Sequence, residues 1–595
     1  MKYVLSILLS FAMIGCSFSY QDSIKKESGH ASSETYIVKT IKGFDTSQFE
    51  NVGGIYDESE PRTNLLIDGE FYTIKRRENV FEDVFLKKIG DLDGVYYAEK
   101  NHAVELSKVE RGTRPAQAIL RTFGLDDGNL KEDPEAMYYD YALRITQARD
   151  FIDEKGEKQQ GAYTKVGYGN NKVVLAIIDT GLNMKHPDFK LENGKSRCLY
   201  AKSYYHPGSD RPTPIYVTHD SNEDDAGHGT HCSGTMCAVE GNNEGIAGVA
   251  YKNSYLISYR SVSARGGNIQ TTYGALGDLA EIVNILRKKV DERSEAEKNK
   301  IPSSVPNDFV ITQQTIPVNM SFGSTATGDY EVEMMNLAIQ NNILPVVAMG
   351  NDGRMQPEYP RSIYGCIAVG ATNNKDKRAY FSDAGEWMSV CAPGSDIIST
   401  YNGTWRPGAS AADINTDKEG TQFMTGTSMA TPFVTGMIGY LLSFDKGQEL
   451  TPYQIKKLLE DTADKIESDN PDFGNYVNGH SLYCGYGRVN VLKAASAVEG
   501  KDGAVKISPP NSFYIEKPMT VTTPITNLKV RLYEVLENGK LFPQGLAITN
   551  TTKTTHFYGL KKGIKYRIVC NIFGVGKEYE FVATDEGEMK HEFTN

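Results

Sequence analysis

The sequence lacks three features that would place it in a special class of protein. It has no basic excess, because 64 Lys and Arg stand against 76 Asp and Glu for a net charge of −12, which argues against nucleic-acid binding. It has no CxxC pair among its eight cysteines, so a disulfide scaffold is not indicated. Beyond the first twenty residues, no apolar run reaches the ~18 residues of a membrane-spanning helix. We therefore expect a globular protein, and its 595 residues predict about two to four domains.

The N-terminal segment differs from the rest of the chain. "MKYVLSILLSFAMIGC" has one early Lys, a short apolar run and then Gly15-Cys16, which is the pattern of a secretory signal. It resembles a bacterial lipoprotein signal, in which residues 1–15 would be removed and Cys16 would carry lipid. The resemblance implies export and a lipid anchor in the cell envelope, at the outer membrane, on its periplasmic or surface side, with release after processing as a second outcome. A plain signal peptide with an incidental Cys is the alternative.

The remaining chain divides into five segments by pattern. Residues 16–34 are a polar tether. Residues 35–107 alternate like strands around one helical stretch, as in a small α+β domain, and residues 108–135 have the polar composition of a linker. Between 136 and 500, short apolar strands alternate with helices, which predicts an α/β domain with a mainly parallel sheet flanked by helices. Residues 501–595 predict a C-terminal all-β sandwich, part of which is similar to fibronectin type III domains.

Asp179 ends an apolar run in "AIIDTG" and fits two catalytic chemistries. A pair of aspartates that share a proton would need a second such motif, or a symmetric dimer of a shorter chain, and this chain has no second copy. A serine hydrolase would instead need a His and a Ser on a tight turn, which "GHGTHCSGT" (227–235) and "GTSMATP" (426–432) supply. An Asp that only caps a turn is the third alternative.

Ser428 is predicted to lie at the start of an apolar helix. Unpaired backbone N–H groups and the helix dipole favour negative charge at that point. Pro432 is expected inside the first turn, where its missing N–H leaves no bond unmade. These properties suit a nucleophile whose attack produces an oxyanion.

Three motifs, "AIIDTGLNMKHPDF", "HGTHCSGT" and "GTSMATP", resemble in their order and residues the subtilisin family of serine proteases, the subtilases. The resemblance implies a subtilisin-like fold and a serine endopeptidase that cuts proteins or peptides through an acyl-enzyme. It implies Ser428 as the nucleophile and His228 as the general base and acid. Asp179 would then orient the imidazole, and Asn351 in "VVAMGNDG" would donate to the oxyanion. A catalytically silent surface protein that binds peptides with the same fold is the alternative.

The same resemblance assigns residues that would bind substrate. Extended peptide would lie between two strand edges. One edge comprises Ser321, Phe322 and Gly323, the other contains Gly266 and Gly267, and Gly350 lies in the wall of the specificity pocket. Residues 35–107 lie where subtilases keep an inhibitory propeptide, which implies that this chain carries its own intramolecular inhibitor. A permanent adhesion or anchor domain is the alternative for that segment.

Metal binding is predicted at one loop. "VEGNNEGIAGVA" (239–250) is similar to the calcium loop of subtilases, which implies Asp188 and the side chain of Asn242 as oxygen ligands of a structural Ca²⁺. A metal-free turn is the alternative. His231 and Cys232 could in principle bind zinc, but the sequence offers no distant ligand pair with suitable spacing, and a hydrogen-bonded core histidine is the favoured interpretation.

Overall fold

The computed structural model describes residues 35–594 with gaps. The longer gaps are 57–62, 107–109, 112–141, 206–211, 217–223, 325–327, 402–419, 446–448, 467–475, 500–514 and 550–552, and shorter ones occur at pairs or single positions. The predicted signal, the tether with Cys16 and most of the predicted linker therefore lie outside the described residues.

The N-terminal unit is a four-stranded antiparallel sheet with two helices, in the strand order β2-β3-β1-β4. Its elements are β1 (Thr35–Thr40), α1 (Ser47–Asn51), β2 (Gly54–Tyr56), β3 (Glu70–Arg76), α2 (Glu82–Gly90) and β4 (Val95–Lys100). Tyr36, Phe49 and Phe85 are fully buried in a core of its own. Two further strands, β5 (Ala103–Leu106) and β6 (Glu110–Arg111), leave this sheet and pair elsewhere. Glu110 and Arg111 thus form a strand inside the segment that was predicted to be linker.

The central unit carries most of the secondary structure. Its strands are β7 (Phe151–Ile152), β8 (Lys158–Gln159), β9 (Val173–Asp179), β10 (Cys198–Tyr205), β11 (Pro212–Tyr216), β12 (Ser254–Arg260), β13 (Val262–Ser263), β14 (Gly266–Asn268), β15 (Ile316–Met320), β16 (Phe322–Gly323), β17 (Ile343–Ala348), β18 (Ile367–Thr372), β19 (Met388–Pro393), β20 (Ile397–Thr400) and β21 (Thr421–Thr425). Its helices are α3 (Ala162–Lys165), α4 (His228–Cys237), α5 (Ile269–Arg287), α6 (Glu295–Lys298), α7 (Asp329–Gln340), α8 (Thr427–Leu442), α9 (Pro452–Thr462) and α10 (Val491–Glu499), with 3₁₀ turns at Pro187–Phe189 and Val290–Glu292.

Eight of these strands form one sheet in the order β11-β10-β12-β9-β15-β17-β18-β19. Neighbours from β10 to β19 are parallel, and β11 is an antiparallel edge strand. Every residue of β9 is buried, because helices cover both faces of the sheet. Leu175 and Ile177 point into the core that contains α8, whereas Ala176 and Ile178 point into the core that contains α5 and α7. This alternation explains why the strand is a continuous apolar run in the sequence.

The C-terminal unit consists of two sheets, in which most neighbouring strands are antiparallel, around a separate core. Its strands are β22 (Met519–Thr522), β23 (Lys529–Val535), β24 (Leu541–Ile548), β25 (Thr554–Phe557), β26 (Lys565–Ile572), β27 (Val575–Val582) and β28 (Lys590–Glu592). We call this unit the β-module. The predicted α/β fold with a mainly parallel sheet flanked by helices is confirmed. The C-terminal strands agree with the predicted all-β composition, while the sandwich architecture and the exact domain boundaries stay predictions. Among the described residues, no helix combines the length and the apolar character that a bilayer crossing requires.

Candidate active site

The three residues of the predicted triad lie at ends of buried elements. Asp179 is the last residue of β9, His228 is the first residue of α4, and Ser428 is the second residue of α8. Gly227 makes the turn into α4 possible, since it has φ +76° and a Cβ there would stand 2.0 Å from the ring of Tyr401. A glycine before His228 is therefore required by both backbone conformation and space.

Asp179 and His228 form a buried hydrogen-bonded pair. His228 Nδ1 lies 2.7 Å from Asp179 Oδ1, which also accepts the N–H of Thr180 at 2.7 Å. Burial, the largest influence, would lower the pKa of the imidazole, but Asp179 first and Cys232 second together outweigh it and hold the pKa of His228 well above its usual value. The carboxylate thus fixes the ring and stabilises its protonated form.

Asp224 holds the start of α4 and was not identified from the sequence. Its Oδ1 accepts the hydroxyl of Thr180 and the N–H of Gly227, both at 2.8 Å, and its Oδ2 accepts the N–H of Thr230 at 2.8 Å. Because unpaired N–H groups and the positive end of the dipole meet at a helix start, a buried carboxylate is favourable there. The acid three residues before "GHGT" was the signal that could have revealed it.

Ser428 is held through its backbone carbonyl. Pro432 lies in the second turn of α8, not in the first as expected, so its missing N–H leaves the Ser428 carbonyl without an intrahelical donor. Two side chains replace that donor: the Ser321 hydroxyl at 3.1 Å and the Cys232 thiol at 3.3 Å. Cys232 Sγ also lies 4.0 Å from His228 Nδ1, so the thiol sits between the His and the Ser residues.

The Ser428 hydroxyl does not bond to the imidazole in this structure. Its Oγ donates to the Ser321 carbonyl at 3.3 Å, and among the described residues nothing bonds to His228 Nε2. Both groups are buried. The predicted serine–histidine hydrogen bond is therefore not made in this side-chain conformation, and catalytic hydrogen bonds of this kind often form only with substrate in place.

Asn351 is oriented by the residue before the predicted nucleophile. Its Oδ1 accepts both the N–H and the hydroxyl of Thr427, each at 2.8 Å. The Thr427 hydroxyl in turn accepts the N–H of Gly350 at 3.1 Å. Because the amide oxygen is fixed in this way, Nδ2 is the group of Asn351 that can donate to a substrate oxygen.

Both predicted substrate edges pair with a strand of this same chain. Strand β5 pairs with β16 on one side, with Gly323 opposite Glu105. On its other side it pairs with β14, with Gly267 opposite Val104. Gly266 has φ +96°, and a Cβ there would meet the Val104 carbonyl at 2.8 Å. Further along, β6 pairs with β21, which ends at Thr425, three residues before Ser428.

Comparison with known proteins matches residues 170–487 to the model of the subtilase family, Peptidase_S8. This chain belongs to the subtilase family. It is 29% identical to thermitase from Thermoactinomyces vulgaris over 323 residues, which are 54% of this chain and 87% of thermitase. It is 28% identical to subtilisin E from Bacillus subtilis (strain 168) over 377 residues, 62% of this chain and 77% of that protein. These relatives support a serine peptidase that acts on proteins or peptides.

A solved structure shares the fold of this subtilase over most of the chain. Fervidolysin from Fervidobacterium pennivorans, described as a keratinolytic enzyme related to subtilisin, superposes with a TM-score of 0.58 at 19% sequence identity. The match covers 94% of this chain and 78% of fervidolysin. At this identity the likeness concerns the fold.

Behind the predicted pocket wall at Gly350 lies a charged cluster that was not predicted from the sequence. A Cβ on Gly350, which has φ +101°, would stand 2.2 Å from Asp383 Oδ2, and a Cβ on Gly323 would stand 2.9 Å from Arg361 Nη1. Arg361 is buried and pairs with Asp383 at 3.1 Å and with Glu358. The two glycines therefore leave space for a guanidinium, and no local sequence pattern links these positions.

Among the residues that the structure describes, no distant ligand pair joins His231 and Cys232 in a zinc site. His231 Nε2 bonds to the carbonyls of Ile397 and Gln422, both at 3.0 Å, and burial lowers the pKa of His231 to about 3. Asp179, His228 and Cys232 do offer three atoms within 4.8 Å of one another. However, the carboxylate already binds the imidazole, and burial raises the pKa of the thiol, whereas zinc requires a thiolate.

The two predicted calcium ligands, Asp188 and Asn242, lie in contact, but Asn242 turns its amide nitrogen and not its oxygen toward Asp188. Asn242 Nδ2 donates to Asp188 Oδ1 at 2.8 Å, and the Ile246 N–H donates to Asp188 Oδ2 at 2.9 Å. Both carboxylate oxygens are thus engaged by N–H groups. Calcium takes oxygen ligands, so this arrangement of Asp188 and Asn242 does not fit an ion between them.

Proposed function

We propose that this subtilase is an exported serine endopeptidase with Ser428 as nucleophile, His228 as general base and Asp179 as the orienting carboxylate. The observation that carries the proposal is the buried Asp179–His228 hydrogen bond at 2.7 Å, one turn from the thiol that also bonds to the Ser428 carbonyl. The pairing of strand β5 with both predicted substrate edges supports it, because an extended peptide substrate would bind to the same two edges as an added strand. A catalytically silent peptide-binding protein would not need a buried charged pair at this place.

The reaction follows from the positions of these atoms. The Ser428 hydroxyl turns from the Ser321 carbonyl to His228 Nε2 and gives up its proton as Oγ attacks the scissile carbonyl carbon. The carbonyl oxygen becomes an oxyanion, which accepts hydrogen bonds from Asn351 Nδ2 and the Ser428 N–H. His228 then passes the proton to the leaving amine, and the C–N bond breaks. Water repeats the same steps on the acyl-enzyme and releases the acid product.

Labelling with a fluorophosphonate tests the nucleophile. The wild-type protein should form a covalent adduct, and Ser428→Ala should form none. Ser233→Ala is a matched control, because it removes another buried hydroxyl of the same unit that has no role in the reaction, and it should label like wild type. A wild-type protein that does not react would support the silent peptide-binding alternative.

We propose that residues 35–106 are an inhibitory propeptide and that the enzyme removes it itself. Strand β5 ends at Leu106 between the substrate edges, and β6 begins at Glu110 beside the strand that leads to Ser428. The bond to be cut therefore lies between Leu106 and Glu110. N-terminal sequencing of mature protein should find a start within 107–110. Ser428→Ala should stay uncut, and an unchanged cut in that variant would assign the processing to another protease.

We further propose that Cys16 carries a lipid and that the cut separates this anchor from the catalytic unit. The proposal is supported by the signal-like sequence that ends at Cys16, and the anchor would be the membrane contact of the chain. Metabolic labelling with a fatty acid should mark the uncut Ser428→Ala protein and should fail in the same protein with Cys16→Ser. In wild type the label should stay with the N-terminal fragment. Label on neither protein would favour a plain signal peptide.

Calcium binding stays a prediction, and it would require a change in the orientation of the Asn242 side chain. Asn242 would have to present its oxygen beside Asp188, where the structure places its nitrogen. Thermal melting with and without EGTA measures the role of the ion. If EGTA lowers the melting temperature of the wild-type protein by several degrees but does not lower that of Asp188→Asn, the result would support calcium at this loop. Equal melting temperatures of the wild-type protein with and without EGTA would support the metal-free turn.

A further inference from the structure

Three units of the chain meet at the first turn of helix α7. Glu99 of strand β4 accepts the backbone N–H groups of Asp329 and of Tyr330, the latter at 3.0 Å. A Cβ on Gly328 would stand 2.6 Å from the Glu99 carboxylate, so the carboxylate lies directly against the helix start. Unpaired N–H groups at such a start bind a carboxylate well. The N-terminal domain therefore docks onto the catalytic unit through this helix end.

The β-module binds the same helix end from another direction. Arg531 Nε donates to Asp329 Oδ1 at 2.9 Å, and Lys529 Nζ lies 3.4 Å from Asp329 Oδ2. Asp329 thus uses its backbone N–H for the N-terminal domain and its carboxylate for the β-module. At the other end of α7, Gln340 donates to the carbonyl of His556, again in the β-module.

Lys529 also reaches the N-terminal domain itself. Its Nζ donates to the backbone carbonyl of Tyr96 at 2.7 Å and lies 5.1 Å from the ring centre of Tyr97. The side chain is only 20% exposed. A largely buried ammonium with a carbonyl, a carboxylate and an aromatic face around it is held by all three. One residue of the β-module therefore binds both other units.

Apolar contacts accompany this polar bridge. Leu546 of the β-module is buried in the same core cluster as Val332 of α7 and Tyr97 and Phe71 of the N-terminal domain. The Tyr97 hydroxyl donates to Glu333 of α7 at 2.8 Å. The three units share one core at this point, so separation of the N-terminal domain would expose surface that the β-module helps to cover.

We infer that the β-module is part of the binding site for the chain's own N-terminal domain, and that Lys529 delays release of this domain after the chain is cut. The delay of release rests on the proposed self-cleavage, whereas the contact between Lys529 and the N-terminal domain does not depend on catalysis. The partner is the α+β domain of residues 35–106, recognised through the main chain at Tyr96 and the ring of Tyr97. The module would thus determine when the active site becomes accessible.

Release kinetics in the full-length protein test this inference. Lys529→Met keeps the length of the side chain and removes its charge. Lys565→Met is the matched control, because Lys565 pairs with Glu580 on the exposed face of the same module. Cutting is followed on a denaturing gel, and release is followed by the onset of hydrolysis of a fluorogenic peptide. We expect equal cutting in all three proteins and release that is about tenfold faster in Lys529→Met.

The outcomes separate this inference from the proposed function. Release at the wild-type rate in Lys529→Met would overturn the role of the β-module, whereas a wild-type chain that is never cut would overturn self-cleavage. The contact can be tested without catalysis in the Ser428→Ala protein, which stays intact. There, Lys529→Met should raise hydrogen exchange at the amides of β4 (Val95–Lys100) by about tenfold, and Lys565→Met should not. Unchanged exchange would overturn the contact itself.

Discussion

Two acidic side chains in this molecule accept backbone N–H groups at two helix starts. Asp224 accepts N–H groups at the start of α4, and Glu99 accepts N–H groups at the start of α7. Asp224 belongs to the same unit as the helix that it binds and is only 3% exposed. Glu99 comes from the N-terminal domain and faces a second carboxylate, that of Asp329. Under the proposed self-cleavage, the same physical interaction would serve a permanent site at α4 and a separable contact at α7.

The difference between these two helix starts indicates which hydrogen bonds the proposed removal of the N-terminal domain would break. The hydrogen bonds described above for Asp224, Thr180 and His228 are made within the catalytic unit, so removal of the N-terminal domain would leave them intact. The hydrogen bonds of Glu99 are lost entirely when that domain leaves. We therefore expect substitutions at the first site to alter catalysis and substitutions at the second to alter release.

The largest expected effect is at the catalytic pair. Asp179→Asn should lower kcat by about 10⁴-fold, because the amide cannot orient or stabilise the charged imidazole. Asp179 raises the pKa of His228, and catalysis needs the neutral ring, so activity rises with pH through that pKa. The acid limb of the kcat/KM profile should therefore move to lower pH in the variant. An unmoved acid limb would show that the carboxylate does not act through His228.

A smaller but still large effect is expected at the permanent helix start. Asp224→Asn keeps the shape but turns an N–H₂ group toward one of the N–H donors. We expect a loss of about 1–3 kcal/mol in the free energy of unfolding. A displacement of His228 by even ~1 Å would lower kcat about 10²-fold. Denaturant unfolding and steady-state kinetics measure the two effects. Mature enzyme obtained from the Glu99→Gln precursor has lost residue 99 with the N-terminal domain, so it should match wild type in both measurements, and a loss of activity there would break the distinction.

The separable site should show its effect in release. Glu99→Gln replaces one acceptor oxygen by a donor, so one of the two bonds to the start of α7 is lost. We expect release of the cut N-terminal domain to be about tenfold faster. Glu82→Gln is a suitable control, because Glu82 pairs with Lys100 inside the N-terminal domain. Equal rates for both variants would show that the contact at α7 does not hold the domain.

The smallest expected effect is a pH dependence of the same release. Burial, and then the nearby Asp329 carboxylate, raise the pKa of Glu99 from 4.5 to about 8, against the opposing effect of the Tyr330 and Asp329 N–H groups and of Lys529. The docked domain therefore binds a proton that the released domain gives up. Docking is strongest below pH 4.5 and weakens as the pH rises toward 8. Release measured between pH 5 and 8 should accelerate with pH, and Glu99→Gln should flatten this dependence.

Features of the catalytic unit could be predicted from the sequence where a local pattern of residues determines the local structure. The continuous apolar run of β9 identified a buried strand, and the small residues around His228 and Ser428 identified turns into helices. Pro432 was misplaced by one turn because a sequence does not show where a helix begins to within a few residues. The orientation of Asn242 could not be predicted, since an amide offers a donor and an acceptor at the same place.

Contacts between distant segments were beyond the sequence. Strand-like alternation was expected across residues 35–107, but the pairing of strand β5 with both β14 and β16 was not, because local alternation does not identify the partner strand. Lys529 and Asp329 stand in separate domains, and neither has a local pattern that points to the other. Such ion pairs depend on how folded surfaces fit together and are found only in three dimensions.

The thiol of Cys232 makes this serine protease susceptible to inhibition by mercury compounds. It lies 4.0 Å from the imidazole of His228 and 3.3 Å from the carbonyl of Ser428, so a mercury ion bound to it would occupy the space through which the proton moves. Burial raises the pKa of the thiol, which keeps it protonated and poorly reactive. Poisoning by organomercury compounds should therefore be slow and should be limited by opening of the fold, and Cys232→Ala should resist it.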